Sequence, residues 1–104
     1  MLKENLNFAP GDIIGLKLVN GDEIISKLES YSNNVYMLDR PCVVVGGPKG
    51  IGLVQAMFSL DPSKKIPLKD IHVMMVCETM SKMRDHYLEV TSGIQPVTKG
   101  SIIT

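Results

Sequence analysis

The stretch from Leu18 to Leu38 most constrains the fold, because two polar turns divide it into three runs of alternating apolar and polar residues. Asn20-Gly21 separates the first two runs. This dipeptide is typical of a two-residue type I′ hairpin turn, in which both central residues have positive φ. A second turn, Ser30 to Asn34, leads into the third run. We therefore predict a three-stranded antiparallel meander with one face for a core and the other for water.

Similar extended runs continue along the chain as far as Cys77. They predict five strands at Ile13–Val19, Asp22–Glu29, Val35–Val45, Ile51–Leu60 and Ile71–Cys77. Pro41 has no N–H to donate to a ladder, so we expect a bulge or sharp bend near it. Ile66-Pro67-Leu68 is a candidate for a further short strand. Five short strands at near-regular spacing favour a small barrel over a βαβ fold.

The glycine-rich stretch from Gly46 to Gly50 is interpreted as a hairpin loop. A phosphate-binding loop places Gly-Lys-Ser/Thr before a helix, whereas here Lys49 precedes Gly50 and a strand follows. The 12-residue leader contains one candidate helical turn at Lys3–Phe8 and ends at the turn signal Pro10-Gly11.

The hydrophobic period changes to that of a helix after Thr79. Thr79 is the expected N-cap and Gly93 the expected C-terminal stop. We expect the apolar stripe of this helix to pack on the barrel, with a protein-docking surface as the alternative; the stripe consists of Met80, Met83, Tyr87 and Val90. The expected organisation is one domain over residues 1–104, with a barrel at 13–78, a helix at 79–92 and a tail at 93–104.

Composition and spacing argue against several classes of function. Lysine plus arginine and aspartate plus glutamate number 11 each, so any attraction for a polyanion must come from a local patch. Cys42 and Cys77 match no metal-ligand spacing, and we interpret them as free, buried thiols of a reducing compartment. His72 has no partner at ligand spacing, and the neighbours Asp85 and His86 do not face one another on a helix. We expect no cofactor, no metal and no enzymatic activity.

The sequence shows neither an apolar run typical of a membrane span nor the pattern of a signal peptide. No apolar run approaches the ~20 residues of a membrane span. The first residues, MLKENLNF, lack the apolar region of a signal peptide. We therefore expect a cytoplasmic protein.

The fourth and fifth predicted strands are long, almost uncharged and apolar on both faces. A small domain has few layers with which to bury both faces of a strand, so such strands indicate pairing with another copy of the chain. The alternative is that the C-terminal helix covers one of these faces.

Three short motifs, LVNG from Leu18, LES followed by Tyr31, and V-x-x-L from Val35, resemble the first motif of the Sm/LSm family. The likeness is greatest to its bacterial Hfq branch, and divergent members encoded by phages are also similar. The segment IPLKDIHVMMV from Ile66 resembles the second motif with its closing strand. The resemblance implies a mainly β fold, a five-stranded, strongly bent Sm-like (SH3-like) barrel with an added C-terminal helix. It also implies a ring of about five to seven subunits joined through strands four and five.

In the Sm-like family, the turn between strands two and three supplies residues that stack on or read RNA bases. The matching positions here are Ser32, Asn34 and Tyr36. Where the second motif has Arg-Gly, or Lys-His in the Hfq branch, this chain has Pro67, Leu68 and Lys69. The candidate RNA-binding residues are Tyr31, Ser32, Asn33, Asn34, Tyr36, Lys64, Lys65 and Lys69. Two functions follow: a homo-oligomeric ring that binds single-stranded RNA, or a structural or protein-interaction module on the same fold that binds no RNA.

Overall fold

The structure is a computed structural model that describes residues 8–57 and 59–92. Its strands form one antiparallel sheet, and a C-terminal helix follows them, so the mainly β prediction is confirmed. The strands are β1 (Ile13–Leu18), β2 (Glu23–Ser32), β3 (Val35–Gly47), β4 (Gly50–Gln55), β5 (Lys65–Lys69) and β6 (Val73–Glu78). A 3-10 turn at Asp70–His72 joins β5 to β6, and helix α1 covers Ser81–Ser92.

The sheet has six strands and is not closed. Its order is β4-β3-β2-β1-β6, and β5 pairs with β3 outside this path. The sheet has one strand more than the five predicted, because the segment around Pro67 pairs with β3. The predicted fourth strand is also shorter than expected, because the run from Ile51 leaves the sheet after Gln55. The candidate short strand around Pro67 is confirmed as β5. Strand β4 pairs with the second half of β3 and β5 with the first half.

The turns that join β1 to β2 and β2 to β3 differ in backbone conformation from what the sequence predicts. The type I′ prediction for Asn20-Gly21 was wrong. Gly21 has φ +98°, but Asn20 is not in the positive-φ region. The Gly21 N–H donates to the Leu18 carbonyl and the Leu18 N–H to the Asp22 carbonyl, which describes a type I turn followed by a glycine bulge. The type I′ signature lies instead at Asn33 and Asn34, with φ of 53° and 66°.

The predicted irregularity near Pro41 is confirmed as a β-bulge. Strand β3 pairs Cys42 with Ile25 and Asp39 with Lys27, so two residues of β3 stand opposite the single residue Ser26. The first of these two, Arg40, has φ 55°. The bulge lets β3 continue unbroken from Val35 to Gly47 while bending.

Both faces of the sheet carry a core. The inner face of the bent sheet buries Ile14, Leu16, Ile24, Leu28, Tyr36 and Leu38. The outer face buries Ile13, Ile25, Cys42 and Tyr87, with Val44, Leu53 and Met83 packed against them. Helix α1 therefore covers the outer face of β1–β4 through Met83 and Tyr87, as expected for these two members of the predicted apolar stripe, and it leaves β6 uncovered. Met80 was wrongly placed in the packed stripe, because it precedes the helix and is exposed.

The start of helix α1 lies later than expected. The Arg84 N–H donates to the Met80 carbonyl at 2.9 Å, which makes Met80 the capping position. Thr79 instead extends the ladder to Ile13, and its buried hydroxyl has no hydrogen-bond partner among the described residues. The N-cap prediction for Thr79 was therefore wrong. The fifth predicted strand also begins later, at Val73, because the 3-10 turn takes the preceding residues. Gly93, the tail to residue 104 and most of the predicted helical turn at Lys3–Phe8 lie outside the described residues.

Candidate functional site

The β2–β3 turn meets the connection between β5 and β6 at one end of the sheet. The carbonyl of Asn34 accepts a hydrogen bond from the N–H of Asp70 at 2.9 Å. The ladder continues from there, with Val35 opposite Lys69 and Tyr36 opposite Leu68. Two chain segments far apart in sequence thus form a single edge, which contains most of the RNA-binding candidates.

An aromatic pair stands just inside this edge. Tyr31 and Tyr36 are directly opposed across β2 and β3. Their rings stack with centroids 4.3 Å apart and an interplanar angle of 24°. Tyr36 is only 4% exposed, whereas Tyr31 retains 37% of its surface. Burial raises the pKa of Tyr36. Of these two rings, Tyr31 alone has enough exposed surface to contact a ligand.

A carboxylate holds the Tyr31 ring from its outer end. The Tyr31 hydroxyl donates to Oδ2 of Asp70 at 2.6 Å. This hydrogen bond is the main reason that the pKa of Tyr31 rises to about 12, with desolvation and the negative charge of Asp70 adding to it. Tyr31 is therefore a neutral phenol at physiological pH. The Asp70 carboxylate at the same position disfavours a phosphate group, because like charges repel.

The sheet separates the remaining candidates. Side chains alternate between faces along a strand, so Lys69 and its partner Val35 lie on the face opposite to Tyr36. Ser32 pairs with Val35 and shares that outer face. Asn33 and Asn34 form the exposed tip between the two faces. Tyr31 and Lys69 therefore lie at the same end of the sheet, but their side chains project from opposite faces.

Two lysines lie away from the tip. Lys65 pairs with Asp39 at the far end of β5. Lys64 precedes it in an exposed turn, where its N–H donates to the carbonyl of Asp61. Lys69 lies four positions after Lys65 along β5, a distance of roughly 13 Å. Lys64 and Lys65 therefore do not join the cluster around Asn34.

Sequence reasoning missed Asp70 and Phe8 as members of this site. Asp70 follows Lys69 directly in the second motif, so the motif alignment could have identified it. Phe8 lies in the leader and packs beside the inner core. It lines a pocket with Tyr31 that only the fold brings together.

The other reactive groups of the described chain form no second chemical centre. Burial raises the pKa of the Cys42 thiol to about 11, which keeps it protonated and unreactive. Cys77 is exposed, so the expectation that both thiols are buried was wrong for this residue, which lies on the terminal strand β6. Within residues 8–57 and 59–92, no three histidine, cysteine or acidic side chains lie close enough to hold a metal ion. Over the same residues, no helix is long and apolar enough to cross a membrane.

Comparison with known proteins adds no family assignment. No family model matches this chain, and no curated protein matches it. The functional argument therefore rests on the geometry of the tip and of the sheet edges.

Proposed function

We propose that the chain is a self-associating Sm-like subunit that forms a homo-oligomeric ring and binds single-stranded RNA at the Asn33-Asn34 tip. The observation that carries the proposal is the position of β4 and β6. They are the two terminal strands of the sheet path, and among residues 8–57 and 59–92 each is paired on one side only. Pairing β4 of one copy with β6 of the next would extend the sheet from subunit to subunit.

The free edge of β4 has a full set of main-chain donors and acceptors. The Ala56 N–H donates to the Pro41 carbonyl. Because bonded and non-bonded pairs alternate along an antiparallel ladder, the main-chain groups of Ile51, Leu53 and Gln55 face away from β3. This edge carries neither proline nor lysine, the residues that commonly protect an edge.

The free edge of β6 is similar. The hydrogen bond from the Thr79 N–H to the Ile13 carbonyl shows which pairs of the β1–β6 ladder are bonded. The main-chain groups of Val76 and Glu78 belong to the non-bonded pairs and face away from β1. Beside this edge, Met75 is 62% exposed, and Ile71 and Met74 are also exposed. Apart from Glu78 at its end, β6 has no charged residue, and an open edge flanked by exposed apolar side chains favours pairing with another chain.

Strand β5 has the opposite character. The Asp70–Asn34 hydrogen bond turns Lys65, Pro67 and Lys69 toward its free edge. Pro67 offers no donor there, and a lysine stands at each end. This pattern protects an edge from pairing. It supports the assignment of the subunit contact to β4 and β6 rather than to β5.

Joining two different edges gives a heterologous contact, which closes into a ring when the rotation per subunit allows it. A ring of about five to seven copies would repeat the Asn33-Asn34 tip and Lys69 in each subunit, so that weak contacts with one RNA strand add together. The exposed ring of Tyr31 supplies a stacking surface at each tip.

Native mass spectrometry of the purified protein, with and without nuclease, tests both parts of the proposal. We expect a complex of about five to seven subunits, with extra mass that nuclease removes. Ile51→Lys, which places a charge on the β4 edge, should give monomers. Val45→Lys is the matched control, since Val45 is an exposed valine on the interior strand β3. A monomeric parent protein would refute the ring.

The alternative function is a structural or protein-interaction module without RNA binding. The Asp70 carboxylate at the tip and the burial of Tyr36 favour it, because both reduce the surface suited to RNA. Helix α1 and the residue that caps it offer a protein-docking surface at the exposed Leu88 and Met80. A ring that carries no nucleic acid and fails to bind added oligonucleotides would support this alternative.

A further inference from the structure

A cavity of about 220 Å³ lies on the outer face of the sheet, between the β3 bulge at Arg40, the segment that follows β4 and the end of helix α1. None of the candidate RNA-binding residues lines it. An engineered cavity of about 150 Å³ is large enough to hold benzene. This cavity therefore has room for a ring that carries a small substituent.

Hydrogen bonds within the chain hold the walls of this cavity in place. The Ala56 N–H donates to the Pro41 carbonyl at 3.1 Å, which ties the segment after β4 to the bulge. Farther along, Oδ1 of Asp61 accepts from both the N–H and the hydroxyl of Ser63, which fixes the turn that contains Pro62. The cavity is thus shaped before a ligand enters, and this lowers the ordering cost of binding.

Most of the lining is apolar and uncharged. Leu60 is only 8% exposed, although it belongs to neither of the two cores. Pro41, Pro62 and Val90 add further apolar surface. The Cys42 thiol also lines the cavity and is neutral, because burial raises its pKa. Such a lining offers water few hydrogen bonds and favours a largely apolar ligand.

A guanidinium group supplies hydrogen-bond donors at the cavity wall. Nε and Nη2 of Arg40 donate to the two carboxylate oxygens of Asp39 at 3.3 and 3.4 Å, and Nη1 donates to the Thr91 carbonyl at 3.5 Å. These bonds are long and use three of the five N–H groups that a guanidinium carries. The other N–H groups can donate to an oxygen atom of a ligand. The Gln55 amide is a second polar group of the lining.

We propose that this cavity binds a small, uncharged, largely apolar molecule, about the size of a substituted benzene, that carries an acceptor oxygen. The apolar part lies among Leu60, Pro62 and Val90, and the oxygen accepts from Arg40. An anion is disfavoured because it would also approach the buried Asp39 carboxylate, and a cation because it would face the guanidinium. Arg40 has φ 55°, a strained backbone conformation of the kind that is concentrated at ligand sites. This site is independent of the proposed ring and of RNA binding.

The test is an NMR titration of the full, isotope-labelled chain with benzamide, benzoate and benzylammonium, which share a ring and differ in charge. We expect saturable shifts of the Leu60 and Val90 methyl signals with benzamide, at millimolar affinity, and about tenfold weaker binding of the two charged probes. Absence of saturable shifts at these methyl groups with benzamide would overturn the inference. Binding of either charged probe as tightly as benzamide would overturn it too.

Two matched substitutions on helix α1 locate the site. Val90→Phe places a ring inside the cavity and should abolish the benzamide shifts. Leu88→Phe is the control and should bind like the parent, since Leu88 is exposed on the same helix and does not line the cavity. Benzamide binding by Val90→Phe with the affinity of the parent would contradict the proposal. If Val90→Phe fails to fold, the methyl shifts of the parent decide, because they report on the cavity directly.

Discussion

The hydroxyl of Tyr87 donates a 2.6 Å hydrogen bond to the main-chain carbonyl of Asp39. The same hydroxyl accepts from the N–H of Lys27 at 3.1 Å. Lys27 and Asp39 are opposed residues of β2 and β3, so the phenol oxygen stands between a donor and an acceptor of the sheet ladder at the Arg40 bulge. A helix side chain thus completes the hydrogen bonding that the bulge interrupts. This contact connects α1 to the bend of the sheet.

Replacing Tyr87 with phenylalanine should destabilise the protein by about 1–3 kcal/mol, because the Lys27 N–H loses its partner in a largely buried position. Urea denaturation followed by circular dichroism measures the change. Tyr31→Phe is the control, since it also removes one phenol hydrogen bond but at an exposed site. An equal loss of stability in the two variants would contradict the role assigned to Tyr87.

Alkaline pH should destabilise the fold through the same residue. Burial is the main cause that raises the pKa of Tyr87 from 10.0 to about 12. Between these values the unfolded chain has released the proton that the folded chain still holds, so stability is complete below pH 10 and falls as the pH rises toward 12. Denaturation midpoints measured over this range should decline less steeply in Tyr87→Phe than in the parent. Parallel declines would show that Tyr87 does not contribute.

The two glycines Gly21 and Gly46 should respond differently to alanine. A Cβ at either position would have open space around it. Gly21, however, has φ +98°, which strains an L side chain, whereas Gly46 does not have a positive φ. We expect Gly21→Ala to cost about 1 kcal/mol and Gly46→Ala to be neutral or slightly stabilising. Thermal denaturation would contradict the turn assignment if both variants had the same midpoint.

Local sequence patterns predicted the meander, the hairpin loop at Gly46–Gly50, the bulge near Pro41 and the helix, because each depends on neighbouring residues. The turn types were harder. Asn-Gly satisfies either a type I′ turn or a type I turn with a glycine bulge, and the register that decides between them involves β1 and β2 together. The pocket at Tyr31 depends on Phe8 and Asp70, which are distant in sequence. The burial of Tyr36 follows from the same long-range packing.

Lys69 should contribute to RNA binding through phosphate contact, if RNA binds at the tip as proposed. Lys69→Ala should weaken binding and reduce the salt dependence of the affinity by about one unit of slope. Lys64→Ala is the control, since Lys64 lies away from the Asn34 cluster. Fluorescence anisotropy with an oligouridine at several salt concentrations measures both. If the affinity of the two variants depended on salt concentration with the same slope, Lys69 would not be a phosphate-binding residue.

Pro67 should limit which edge of the sheet pairs with another copy. Its missing N–H lies on the free edge of β5, between the outward-facing Lys65 and Lys69. Pro67→Ala adds a donor to that edge without removing any bond to β3, so we expect larger, heterogeneous assemblies from a second pairing site. Sedimentation velocity measures their size distribution. Leu68 faces β3 with its main chain, which makes Leu68→Ala a neighbouring control that should not enlarge the assembly. An unchanged distribution for Pro67→Ala would mean that proline is not what protects β5, and the two flanking lysines would then be the residues to replace.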